Sequence, residues 1–166
     1  MLYKFWGPKK PIIYVLNVDE KHLKEGSSLS GIPNEAQLPI SIKIEAELSE
    51  LSKEDAREYL KTLGVDEAGL DRLIRASYSL LGLSTFLTSG PKETRAWTIK
   101  IGTKAPQAAG VIHTDFEKGF IRVEVINWKD FVEFGEVGAR ERGLMRTEGK
   151  EYVMQDGDAC HFRFNV

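Results

Sequence analysis

Cysteine is almost missing from the chain: Cys160 stands alone among 166 residues. An internal disulfide is therefore excluded, and a reducing, cytoplasmic setting is the expectation. Long apolar runs are missing too; none approaches the roughly 20 residues that a membrane helix needs, so no membrane partner is expected. Lys9 and Lys10 lie near the N-terminus, but no long apolar segment or small-residue cleavage site accompanies them, which gives no sign of a secretory leader. Histidine is scarce. His22, His113 and His161 are far apart in sequence, with no metal-ligand spacing among them, so no metal site is expected and His113 reads as structural. Charge of one sign is missing as well: the net charge is −2 and the isoelectric point is near 6.0. Bulk electrostatic attraction to nucleic acid is thereby excluded, whereas a local patch is not. No internal repeat or low-complexity segment occurs.

The most strongly punctuated stretch runs from Thr94 to Glu124. Thr94–Ile101 alternates in period two, with Trp97, Ile99 and Ile101 on one face and Thr94, Thr98 and Lys100 on the other. Gly102 breaks the strand, Thr103 is the expected helix N-cap, and Pro106 suits a first turn. Ala105, Ala108, Ala109, Ile112 and Phe116 recur at helical spacing, and Gly119 is a C-terminal stop. Phe120–Asn127 alternates again, with Ile121, Val123 and Val125 expected inward and Arg122 and Glu124 outward.

Elsewhere the signals are shorter. Met1–Lys10 reads as the tail of a helix ending at Gly7-Pro8, and Pro11–Asn17 as a buried strand of a parallel sheet. Lys21–Gln37 reads as mostly loop, and Leu38–Ile44 as a second strand. Glu45–Leu63 is helical, restarting at Ser52 with Asp55 and stopping at Gly64. Asp66–Leu81 is a further helix with a stripe of Leu70, Leu73, Ile74, Ser77, Leu80 and Leu81, and Asp66 or Asp71 near its positive end. Gly82 marks a boundary. Leu83–Ser89 is strand-like, and Gly90-Pro91-Lys92 is a turn. A short helical segment follows Asn127. Gly135–Gly149 reads as a loop with one helical turn around Ala139–Leu144, and Tyr152–Gln155 as a short strand. Asp156-Gly157-Asp158 is a turn before a last strand in which Cys160, Phe162, Phe164 and Val166 alternate with His161, Arg163 and Asn165.

These residues are recognisable together. LGLSTFLTSGPKETRAWTIKIGTKAPQAAGVIHTDFEKGFIRVEVI, with EGKEYVMQDGD and the ending HFRFNV, resembles the TGS domain that closes the YchF/Obg-like ATPase family. KPIIYVLNVDE is similar to the last base-recognition strand of that family's nucleotide domain, PISIKIEAELSEL to the following strand with its SAK-type loop, and VDEAGLDRLIRASYSLL to the helix joining the domains. The resemblance implies an α+β chain in two parts. Residues 1–82 would be the C-terminal remnant of a P-loop α/β nucleotide domain with two helices, and residues 83–166 a β-grasp TGS domain. It implies ATP or GTP with Mg²⁺ as the ligands of the full-length family, and ribosome or structured RNA as partner. Asn17-Val18-Asp19-Glu20 stands where the family's relatives commonly carry Asn-Lys-x-Asp. An Asp at the fourth position would accept from the guanine N1–H and 2-amino group. Glu20 is one methylene longer, and Val18 replaces the lysine that packs along the base, so relaxed or ATP-leaning specificity is implied.

No G-x-x-x-x-G-K-[ST] occurs, and no D-x-x-G lies in a switch-like context. Phosphoryl transfer needs a phosphate cradle and Mg²⁺ ligands. The sequence begins at what would be the final third of the nucleotide domain, so the chain alone is expected not to hydrolyse nucleotide, to need no cofactor by itself and to bind nucleotide weakly or not at all. The base-binding candidates by resemblance are Asn17, Val18, Glu20, Ser41, Ile42 and Lys43. The same residues also suit ordinary polar strand ends. The RNA- or ribosome-binding candidates are Lys100, Arg122, His161 and Arg163 on one sheet face, with Lys104 and Lys118 bracketing the helix. A normal charged face is the alternative, because residues 90–166 hold 12 basic and 12 acidic side chains. No catalytic residue is expected in the chain. Cys160 reads as a small buried hydrophobe, and the incomplete N-terminal sheet as a surface for association with another chain. Nucleotide hydrolysis after completion by an N-terminal part, or a protein-interaction module without RNA, are the competing functions.

Overall fold

A computed structural model describes residues 10–25, 30–33, 36–90 and 93–165. The chain divides into two compact units, Met1–Leu81 and Gly82–Val166. The expected helix tail at Met1–Pro8, the turn at Pro91-Lys92 and the last position, Val166, lie outside the described residues.

In the first unit, β1 (Tyr14–Asn17) and β2 (Gln37–Ile40) pair in parallel, with Tyr14 opposite Gln37 and Asn17 opposite Ile40. The strand expected to be buried is not: Tyr14 and Val15 are exposed, since β2 is the partner of β1 among the described residues. Four helices follow the strand ends: α1 (Glu20–Glu25), α2 (Ile42–Ser49), α3 (Lys53–Leu63) and α4 (Gly69–Leu81). α1 replaces part of the expected loop. Its start is fixed by Asp19, whose carboxylate accepts the His22 N–H at 2.9 Å. The second strand ends at Ile40 rather than Ile44, because Ser41 O accepts the Glu45 N–H and the chain turns helical at once. The β-branched run Ile40, Ile42, Ile44 therefore crosses from strand to helix.

Two helix ends follow local rules. Ser52 accepts the Asp55 N–H at 3.2 Å and caps α3, and Gly64 (φ 69°) closes it in the left-handed region that a side chain would resist. α4 begins three residues later than expected, with Asp71 in its first turn. Its N-terminus is capped from a distance: the Glu45 carboxylate on α2 accepts the Gly69 N–H at 2.7 Å and the Leu70 N–H at 3.1 Å. The apolar stripe of α4 is largely open, with Leu70, Ile74, Leu80 and Leu81 exposed.

The second unit is a five-stranded mixed sheet in the order β4-β3-β7-β5-β6. The strands are β3 (Leu83–Ser89), β4 (Thr94–Lys100), β5 (Phe120–Asn127), β6 (Arg146–Glu148) and β7 (Asp158–Phe164). β3 and β7 are parallel; the β3–β4, β5–β7 and β5–β6 pairs are antiparallel. The helix α5 (Ala105–Ile112) covers one face. Ala105, Ala108 and Ala109 are fully buried against a core that includes Phe86, Ile99, Val123, Val125 and Phe162. α6 (Thr114–Lys118) continues on that side, with Phe116 stacked on Phe164 at 3.7 Å. At its end, an added Cβ on Gly119 would meet the Asn165 carbonyl oxygen at 1.9 Å, so glycine is required by close approach.

Several expectations within this unit are corrected. The N-cap of α5 is Lys104, held in a bridge to Val153, while the Thr103 hydroxyl donates back to Lys100 O. Ile121 faces solvent, not the core, because a bulge between Phe120 and Arg122 shifts the register. Ile101 is exposed, since the strand has already ended at Lys100. The short helix expected after Asn127 and the helical turn expected around Ala139 both form; they meet at non-helical Gly135 and together make α7 (Trp128–Glu141). β6 forms where loop was expected, and Tyr152–Gln155 contributes the bridge at Val153 rather than a strand.

Phe86 is fully buried beneath α5 and makes an edge contact with Phe162 at 5.7 Å. Phe86→Ala is expected to cost about 3–5 kcal/mol through cavity formation. Val132→Ala, at a side chain left 76% exposed, is expected to stay within about 0.5 kcal/mol. Urea unfolding followed by circular dichroism compares the two.

Candidate functional site

Parallel β1 and β2 end side by side, and both chain segments turn into helices there. Between them lies an open cavity of about 640 Å³. Asn17, Val18, Glu20, Ser41, Ile42 and Lys43 all line it, although more than twenty residues separate the two segments. The two strand ends are tied together. The Val18 N–H donates to Ile40 O at 2.9 Å, and the Ile42 N–H donates to Asn17 Oδ1 at 3.3 Å. The Ile42 amide that the resemblance would turn toward a base is thus held by Asn17. Ser41 is buried at the seam.

Two further lining groups, Glu47 and Tyr59, were not singled out from the sequence. Glu47 lies on α2 and Tyr59 on α3. The Tyr59 hydroxyl donates to Glu47 Oε2 at 2.5 Å, and this bond raises the Tyr59 pKa. Lys43 Nζ lies 3.8 Å from the same carboxylate. The pairing of Tyr59 with Glu47 joins two helices and needs the fold. At the rim, Asp19 is engaged by both the backbone N–H and the ring of His22. The arrangement offers apolar surface from Val18, Ile42 and Ile44 beside hydrogen-bonding oxygens, which suits a flat polar ring.

The cationic candidates divide by face. β5 and β7 alternate so that Val123, Val125, Cys160 and Phe162 meet α5, while Glu124, His161 and Arg163 point away from it. Lys100 and Arg122 also lie on this open face. Lys104 and Lys118 do not join them: they flank α5 and α6, with Lys104 bonded to Glu151 at 2.5 Å and Lys118 lying 3.9 Å from Asp115. On the open face Arg122, Arg163 and Arg140 approach Glu124 at 3.8, 3.1 and 3.9 Å. Arg140, carried by α7, falls in the helical turn expected around Ala139–Leu144 but is not among the cationic candidates read from the sequence.

The remaining polar groups are structural. Cys160 is buried, which pushes its thiol pKa well up. Asp158 is buried and accepts from the Tyr152 hydroxyl and the Gln155 N–H, both at 2.8 Å. Burial, followed by that bond, pushes Tyr152 up to about 12. Asp156 accepts the Thr85 N–H at 2.8 Å. No group of three metal-ligating side chains occurs among the described residues, and no described helix is long and apolar enough to cross a membrane.

The mixed sheet beneath α5 and the two tied strand ends match a known class. The YchF-GTPase_C family model, described as a protein of unknown function (DUF933), matches residues 83–165. The chain belongs to the YchF/Obg-like ATPase family and corresponds to its C-terminal part. It is similar to the ribosome-binding ATPase YchF of Haemophilus influenzae, with 51% identity over 95% of this chain and 45% of the relative. The Bacillus subtilis protein of the same name is 49% identical over 95% of this chain and 46% of its own length. Obg-like ATPase 1 of Pongo abelii is 42% identical over 95% and 42%. A solved YchF GTPase from Schizosaccharomyces pombe superposes with a TM-score of 0.75 at 36% identity, covering 92% of this chain and 43% of that one. The chain thus spans less than half the length of these relatives.

Asp19 sits below its ordinary 3.8, first through the His22 backbone hydrogen bond and then through the His22 side chain. A carboxylate whose folded pKa is lowered contributes above the unfolded value and stops contributing as pH falls through the folded one. Slowed exchange of the His22 amide is therefore expected to persist through the ordinary carboxylate range and to be lost only as pH falls through the lowered Asp19 pKa. In Asp19→Ala it is expected to be absent at every pH, as NMR hydrogen exchange would show.

Proposed function

We propose that the chain is the C-terminal region of an Obg-like nucleotide-binding protein with two working surfaces. The first unit carries the base-recognition edge of a P-loop α/β domain. The second is a β-grasp unit of the TGS type that attaches the protein to the ribosome or to structured RNA in the cytoplasm. One observation carries this reading most directly: Asn17–Glu20 and Ser41–Lys43, from separate segments, surround one cavity at the adjacent ends of parallel β1 and β2. Ligands of open α/β sheets bind at the carboxyl ends of such strands. Glu20 in place of an aspartate leaves the guanine-specific donors without their usual acceptor, so the base edge leans toward adenine. In the full-length family the remaining ligand groups are the phosphates of ATP or GTP with Mg²⁺.

Most nucleotide affinity in such folds comes from phosphate contacts at glycine-rich turns and helix N-termini. This chain has no Walker-type sequence to supply them. Base contacts alone then leave binding weak, and hydrolysis needs parts that the chain does not encode. The open sheet face of the second unit, with Lys100, Arg122, His161 and Arg163, is the surface for ribosomal or other RNA. The exposed side chains of β1 form a place where further sheet can associate.

Base-edge binding without a phosphate cradle makes a specific expectation. Adenosine and Mg-ATP should perturb the amides of residues 17–20 and 41–43 to the same extent, with dissociation constants weaker than about 1 mM. No phosphate should be released above a buffer blank. Measurable hydrolysis, or NMR shifts that spare both segments, would overturn this part of the reading. Sedimentation of the chain with ribosomes, expected at low salt and reduced as salt rises, tests the other part.

A further inference from the structure

Three arginines from three elements gather around one carboxylate on the open face of the second unit. Arg122 lies on β5, Arg163 on β7 and Arg140 on α7. Glu124 is 12% exposed, whereas the three arginine side chains are 44–57% exposed. Glu136, 3.1 Å from Arg140, is the second carboxylate of the group. Three guanidiniums against two carboxylates leave one positive charge, concentrated at a single spot. Each guanidinium carries five N–H donors, and Glu124 and Glu136 engage only a few of the fifteen.

The strand register makes the cluster more informative. Arg122 and Arg163 are direct cross-strand partners. Like charges placed opposite one another weaken a sheet pair, so the pairing is locally unfavourable. The bulge between Phe120 and Arg122 lets Phe120 enter the core while Arg122 takes the open face. His161 stands opposite Glu124 in the same strand pair.

We propose that Arg122, Arg140 and Arg163 form a binding site for one phosphate group of an RNA backbone, with Glu124 as the positioning residue that holds the three guanidiniums in a fan. The site rests on the ribosome and RNA reading given above and assigns it a location and a chemistry. A phosphate offers non-bridging oxygens that guanidinium forks meet two N–H groups at a time. Lys100 shares the face but stands outside the cluster, and Lys104 and Lys118 lie on the other side.

Binding of a short fluorescein-labelled RNA stem-loop to the whole chain, measured by anisotropy across a salt series, tests the proposal. Arg122→Gln, Arg140→Gln and Arg163→Gln should each weaken binding and lower the log–log salt slope by about 1. Arg140→Lys should keep the slope and still lose affinity, because it keeps the charge and loses the fork. Lys104→Gln and Lys118→Gln should change neither quantity. Circular dichroism melts of every variant separate loss of the site from loss of fold. Unchanged affinity and slope in a folded triple glutamine variant would overturn the site while leaving RNA binding intact. Absence of any stem-loop binding by the wild type would overturn both the site and the RNA reading. Equal competition by polyglutamate would overturn the phosphate assignment.

Discussion

Three alanines set the architecture of the second unit. Ala105, Ala108 and Ala109 bring the backbone of α5 so close to the sheet that their side chains are fully buried. Larger residues would hold the helix away from Phe86, Val123 and Val125, which are themselves fully buried. This close contact seals one face of the sheet, and the period-two alternation of β5 and β7 directs Glu124, His161 and Arg163 to the other, where Ile126 and Ala159 are buried beside α7. Arginines and a histidine gather there because the sealed face has no room for a charge. The placement of these charges is therefore a consequence of core packing.

The first unit depends on contacts that cross the sequence. Asn17 binds the Ile42 amide, and Glu45 caps α4 through the Gly69 and Leu70 amides. These bonds place two motif-bearing turns around one cavity while burying little. Ile40, Ile44 and Leu63 are the large buried apolar side chains among the described residues of this unit. Its strands and the α4 stripe keep much apolar area open to water. That imbalance suits a unit whose hydrophobic surface is shared with further polypeptide.

Much of the chain is legible where local chemistry decides the outcome. Ser52 with Asp55, Gly64, and the alternation of β4, β5 and β7 signal their structures through neighbours only a few residues away. The reading loses accuracy where a distant partner decides. Glu45 moves the start of α4, a bulge turns Ile121 outward, and the hydrogen bond between Asn17 and Ile42 accompanies the end of a β-branched run that local propensity would extend. The site shows the same division. The two base-edge motifs stand out in the sequence, but Glu47 and Tyr59 join them only through packing. Arg122 and Arg163 are visible on alternating strands. Arg140 is not, because it lies off the strands on a separate helical turn and meets Glu124 only through the fold.

The central proposal is that the chain binds RNA through the face of the sheet turned away from α5. Arginine-modification footprinting of the chain, free and bound to ribosomes, read by mass spectrometry, tests it most directly. Arg122, Arg140 and Arg163 should become protected on binding, while Arg57 and Arg75 of the first unit keep their reactivity. Protection of Lys104 and Lys118 in a parallel lysine-labelling experiment, with Arg122 and Arg163 still reactive, would place the partner on the helix side and contradict the account.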